Sequence, residues 1–171
     1  MKEDDPIEIV SYDQHWTQMF EEEAEKLREL FNDHQIAIEH IGSTAIPGID
    51  AKPVIDIMIG FMDEIDQKEM VKRLEGVDYE WWEKDPFKDI RLFFVKWNND
   101  KTKRTHQIHA MHRVGSPFWK DQIAFRDKLR SEPSLAREYS DLKNMLMKKF
   151  KNNRHDYIQG KTAFVKRVLE H

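Results

Sequence analysis

Apolar residues run through this chain with two periods, and the changes of period mark its elements. Trp16, Met19, Phe20, Ala24, Leu27, Leu30 and Phe31 recur at helical spacing, which predicts an amphipathic helix over residues 13–33. Asp13 supplies a starting cap, and Glu21, Glu22, Glu23 and Glu25 a solvated face. Residues 35–41 alternate instead, with Ile36, Ile38 and His40 on one face and Ala37, Glu39 and Ile41 on the other. Val54, Ile55, Ile57, Met58 and Ile59 then form an apolar run that reads as a strand buried on both faces and interrupted by one acid, Asp56.

Residues 65–75 predict a short helix stopped by Gly76. Strands follow at 79–82, 90–97 and 104–112, and the Asn98-Asn99-Asp100 turn chemistry joins the last two as a hairpin. Beyond Gly115 the pattern becomes helical. Ser116 and Pro117 open a helix over 118–130, Pro133 and Ser134 introduce a second, and a third runs from about 156. The order predicts an α+β fold, a mixed β-sheet packed with helices, as a single domain over 1–171. Residues 1–112 form its sheet-containing core and 113–171 a helical C-terminal part.

Composition narrows the function classes. A chain of 171 residues is long enough to bury a sizeable core. The absence of cysteine removes disulfides, a thiol nucleophile and thiolate zinc sites. The charged start, Met1 to Pro6, lacks the apolar core of a signal peptide and no run is long enough to span a bilayer, so a cytoplasmic location without membrane contact is expected. Charge is uneven: residues 1–112 carry 14 Lys and Arg against 25 Asp and Glu, whereas 113–171 carry 14 against 7. We read the basic part as a solvated helical surface that complements the acidic body, because the aromatic interleaving of a nucleic-acid site is missing. Nucleic acid is therefore not an expected partner, and the sequence fixes no oligomeric state.

The candidate chemistry lies at His40-Ile41-Gly42-Ser43-Thr44-Ala45-Ile46-Pro47-Gly48. Gly42 permits backbone angles closed to other residues, Ser43 adds a hydroxyl, and the N–H groups of such a turn suit phosphate oxygens. Asp56 follows thirteen residues after Ser43, and an acid in an apolar strand is costly unless paired, hydrogen-bonded or metal-bound. Glu39 ends the preceding strand and is either a second carboxylate for the same cleft or the partner of a nearby base. Lys52, Arg91 and Arg104 are placed to neutralise a triphosphate. Tyr157 and Lys161 stand one helical turn apart, so Lys161 meets phosphate if that face borders the cleft and solvent if it does not. The pairs Trp81-Trp82 and Phe93-Phe94 read as strand packing before base stacking.

The run from His40 to Ile57, with GSTAIPG and KPVIDI, closely resembles the GrpB family, whose fold is similar to that of the nucleotidyltransferase superfamily. Arg104 to His109, Phe125 to Arg130, Glu138-Tyr139 with Leu142-Lys143, and Tyr157 with Lys161 extend the resemblance over nearly the whole chain. The superfamily implies a Gly-Ser turn ahead of a strand with two acids one residue apart, which bind divalent metal and nucleotide phosphates. Asp56 resembles the second acid, so the first falls on Val54; in the other register the second falls on Met58. The third acid resembles an inward residue on a neighbouring strand, which places His109 beside Asp56. Strand alternation puts His106 on the opposite face.

The resemblance thus implies a protein that binds a nucleotide or phosphate compound. Mg2+ or another divalent cation would sit on Asp56 with Glu39 or His109, and a nucleoside triphosphate would be held by Gly42, Ser43, Lys52, Arg91 and Lys161. If the protein is catalytic, Asp56 and His109 serve nucleotidyl transfer to an acceptor. The other outcome is a binding or regulatory domain that keeps the fold without the paired acids.

Overall fold

The strand that carries Asp56 lies inside the sheet, paired on both edges. In the computed structural model, which describes residues 8–151 and 153–170, β1 (Ile36–Ile41) runs antiparallel to β2 (Ile55–Phe61), with Ile41 opposite Asp56. On its other side β2 pairs in parallel with β5 (Arg104–Met111), setting Asp56 against Gln107 and Met58 against His109. The remaining strands, β3 (Tyr79–Trp81) and β4 (Leu92–Trp97), complete a five-stranded sheet of order β1-β2-β5-β4-β3. The mixed sheet and the β4–β5 hairpin are those expected from the pattern. The signal-peptide reading of residues 1–6 lies outside the described residues.

Period-two alternation assigns the two faces. Ile55, Ile57, Ile59, Phe94 and Ile108 point to one side, where they form a core with Trp16, Phe20, Ala24 and Leu27 of α1 (His15–Leu30) and with Met70 and Leu74 of α2 (Gln67–Glu75). Each such side chain contributes about 1.5–3 kcal/mol on burial. Asp13 accepts the His15 N–H at 2.9 Å at the start of α1, and Asp66 caps α2 by accepting from Lys68 and Glu69. On the opposite side Ile41, Met58 and Met111 pack against Trp119 of α3 (Pro117–Ser131). Ser116 caps that helix, accepting from the Trp119 N–H at 3.3 Å.

A third cluster binds the C-terminal helices to the sheet. Ile46 and Ile49, from the loop after Ser43, are buried among Leu129 of α3, Ala136 and Tyr139 of α4 (Pro133–Lys149), and Phe164 and Val168 of α6 (Thr162–Leu169). The loop therefore forms a seam between sheet and helices. One expectation needs correction: the last helix is two, because α5 (Arg154–Gln159) ends at Gly160 and the chain restarts at Thr162. Gly160 lies so close to α4 that an added Cβ would stand 2.4 Å from Leu146 Cδ2. Helical spacing from Tyr157 to Lys161 is thus interrupted by the turn between α5 and α6. Among the described residues, no helix is long and apolar enough to cross a membrane.

Candidate functional site

Asp56 is the one residue of β2 that escapes burial. Its side chain keeps 27% of its surface, so the expectation of a strand closed on both faces fails at this position. The carboxylate sits against the Gly-Ser turn. Gly42 has φ +70°, and a Cβ built there would lie 2.4 Å from Asp56 Oδ2, so only glycine lets the backbone approach the acid this closely. The single 3-10 turn Ser43–Ala45 follows at once. Behind it His40 stacks on Phe20 and places Nε2 3.0 Å from Thr44 Oγ1. Burial lowers the His40 pKa to about 4, so the ring is a neutral strut.

The loop's far end is held by α4. Ser140 Oγ accepts the Asp50 N–H at 3.1 Å, Asn144 donates to the Asp50 carboxylate at 2.8 Å, and Lys143 Nζ donates to the Asp50 carbonyl. Arg130 of α3 adds a bond to the Ala45 carbonyl at 2.8 Å. Tyr139, one turn before Lys143, lies near Ser43 and feels the charge of Asp56. Burial keeps its phenol neutral. Lys143 Nζ lies 4.9 Å from the Tyr139 ring centroid, and Lys161 Nζ 4.8 Å from that of Tyr157.

Lys143 is the site's most unusual group. Only 2% of its surface is exposed. Burial and then repulsion from Lys161 lower its pKa to about 7, against the weaker opposing field of Asp50. Lys161 is near enough to repel the buried Lys143 charge. Helical spacing gives Tyr139 and Lys143 no site role. The available signal was the resemblance of their block, since a lysine on an amphipathic helix otherwise reads as solvated.

On the sheet side the structure brings Asp56 and His109 together, with Nε2 3.6 Å from Asp56 Oδ1. His106 faces the other way, beside Glu23 of α1. Arg91, just ahead of β4, donates to His109 Nδ1 and to Asp85 at 3.1 Å. Its guanidinium lies 4.9 to 5.4 Å from the ring centroids of Phe87, Phe93 and Phe118. Burial and the Arg91 charge lower the His109 pKa, which keeps the imidazole neutral. Phe93 and Phe94 are buried packing residues, and Arg104 is buried against Trp97. Lys52 stands half-buried just ahead of β2.

The expected metal set does not fit these contacts. Glu39 is committed to Arg126 of α3 at 2.6 Å, and Arg126 also holds the His40 carbonyl at 2.9 Å. A guanidinium offers only donors, so His109 Nδ1 is the acceptor and the neutral ring carries its proton on Nε2, where a metal would need a lone pair. Val54 and Met58, at the paired-acid positions, are buried apolar side chains. Among the described residues the three-donor cluster is Asp33, His34 and Glu69, beside α2; there Arg73 bonds Asp33 and Glu69, which makes it a salt-bridge network. Depressions of about 410 and 360 Å³ also flank α2, lined by residues such as Arg73 and Trp81, and contain none of the site residues.

The five-stranded mixed sheet with its packed helices has a nucleotidyltransferase-like fold. The Cid1 poly(U) polymerase, solved with Mg 3'-dATP bound, shares it at TM-score 0.55 and 10% identity over 89% of this chain and 49% of that one. More specifically, the model of the GrpB protein family matches residues 6–171, and the chain belongs to that family. The solved GrpB protein of Enterococcus faecalis superposes at TM-score 0.83 with 29% identity, covering 95% of each chain. UPF0157 protein PA4798 of Pseudomonas aeruginosa is 38% identical over 98% of this chain and 68% of its own length. Glutamate-rich protein GrpB of Alkalihalophilus pseudofirmus is 31% identical over 94% of this chain and 92% of its own.

Proposed function

We propose that the chain binds a nucleotide or a related phosphate compound in the seam between the Gly42–Ser43 turn and the α4–α6 helices. The observation that carries this reading is Lys143, a buried amine held on the Asp50 carbonyl at the end of the Ser43 loop, whose pKa burial and Lys161 lower to about 7. An anion alongside restores that charge and relieves the repulsion between the two amines. Ser43, at the start of its turn, supplies a hydroxyl donor for phosphate, with Tyr139 nearby. The fold shared with a polymerase captured with a nucleotide is consistent with a nucleotide as the ligand.

The geometry favours ligand binding over two-metal nucleotidyl transfer. Asp56 is one carboxylate where that chemistry needs several, Met58 is fully buried, and Glu39 is engaged by Arg126. A binding or regulatory domain is therefore the reading best supported. Titration calorimetry with each nucleoside triphosphate and with inorganic tripolyphosphate tests it. Binding to wild type, weakened about 10- to 100-fold in Lys143→Met, is the expected result. No binding of any of them, or equal binding by the variant, contradicts the site. Pyrophosphate release on adding candidate acceptors would restore the transferase reading.

A further inference from the structure

We propose that Asp85, Arg91 and His109 form a positioning relay for Asp56, and that Asp56 receives a hydroxyl group of the ligand. The proposal rests on the binding reading above and deepens it: the preferred ligand is a phosphate compound that carries hydroxyls, a ribonucleotide over a bare polyphosphate. The relay begins at Asp85, a buried carboxylate that accepts from Arg91 Nε at 3.1 Å. Arg91 is boxed by the rings of Phe87, Phe93 and Phe118 and donates onward to His109 Nδ1. His109 is itself fixed, meeting Phe93 edge-on at 5.2 Å and stacking on Phe118 at 6.1 Å. Which nitrogen of an imidazole holds the proton is set by the bond its other nitrogen makes, so the proton sits on Nε2.

That N–H is buried and makes no hydrogen bond, and Asp56 Oδ1 stands before it at 3.6 Å. A buried donor left unmade is costly, and a shift of about half an ångström in the carboxylate would satisfy this one. Asp56 is thereby placed from two sides. Oδ2 rests against Gly42, Oδ1 faces His109, and 27% of the side chain's surface stays open. Arg91 spends its charge on Asp85, so what reaches Asp56 through the relay is a neutral donor with a fixed direction. The open part of the carboxylate, beside the turn that carries Ser43, repels phosphate oxygens and accepts hydrogen bonds. The ligand group that meets it is therefore a donor, and the hydroxyls of a ribose linked to the phosphates are donors of this kind.

ATP and its 2',3'-dideoxy analogue are titrated calorimetrically into the full chain as wild type, Asp56→Ala and His109→Phe. ATP should bind wild type about tenfold or more tighter than the analogue, and that preference should fall below about threefold in both variants. Equal binding of the two ligands by wild type would overturn the hydroxyl assignment and leave the binding reading intact. Binding of neither by wild type would overturn the binding reading as well. A preference that survives in His109→Phe, or loss of both ligands together in that variant, would make the ring a packing residue and remove the relay. Nitrogen-15 NMR of the wild-type histidines reads the relay without any substitution. His109 protonated at Nε2 is expected, and a proton on Nδ1 would contradict the relay.

Discussion

At the scale of single residues, the burial of one lysine sets two measurable consequences. Lys143 has a folded pKa of about 7 against 10.5 for an ordinary lysine, so the unfolded chain binds more protons between those values. Stability from this group therefore rises with pH across that window, and the cost of burying the ammonium is greatest below pH 7. Lys143→Met should raise stability by about 1–3 kcal/mol at pH 6, with a smaller gain at pH 10, in denaturant melts at both values. An equal gain at both would show that the amine is not strained by its surroundings. Gly42→Ala should act oppositely, costing about 1–3 kcal/mol and disturbing Asp56, because the new Cβ meets both a φ of +70° and the carboxylate. The juxtaposition of Gly42, Ser43 and Asp56 was legible in the sequence, since a short loop and strand parity suffice to place them. Lys143 and Tyr139 were not, because they meet a loop some ninety residues upstream, Tyr139 packing with Ile46 and Ile49 and Lys143 bonding Asp50.

At the scale of elements, the alternation of β1, β2 and β5 settles which side chains share a face, and it separates His106 from His109. What alternation does not carry is the identity of cross-element partners. Glu39 was equally readable as a ligand or as half of an ion pair, and only the approach of α3 brings Arg126 to it. The break between α5 and α6 was hidden for a similar reason, since it follows from the packing of Gly160 on Leu146. On the opposite face of the sheet, α1 is anchored by Glu23, which accepts from Lys96 at 2.8 Å, Tyr79 at 3.0 Å and Lys26 at 3.1 Å. Burial alone would raise its pKa, but the Lys96 and Lys26 ammonium groups hold it down at about 2. Such a depressed carboxylate adds stability above its unfolded value near 4.5 that is lost as pH falls through about 2. Glu23→Gln should lower stability by about 1–3 kcal/mol at pH 7, and the deficit should close toward pH 2. A deficit that persists in acid would place its cause in packing.

At the scale of the whole molecule, the acidic sheet part and the basic helical part are joined through their charges as well as their cores. Arg126 reaches Glu39 and the His40 carbonyl, Arg130 reaches Ala45, and Lys143 reaches Asp50. These bonds, with Ile46 and Ile49 buried among the helices, predict that near- and far-ultraviolet circular dichroism report one coincident unfolding transition. Two separated transitions would mean that residues 113–171 fold as an independent unit. The central claim is an anion seat at Lys143, and proton linkage tests it most directly. Calorimetric titration of tripolyphosphate at pH 8, in two buffers of different ionisation enthalpy, should show binding with net uptake approaching about 0.9 proton as the lysine regains its charge. Binding without proton uptake, or uptake unchanged in Lys143→Met, would contradict it.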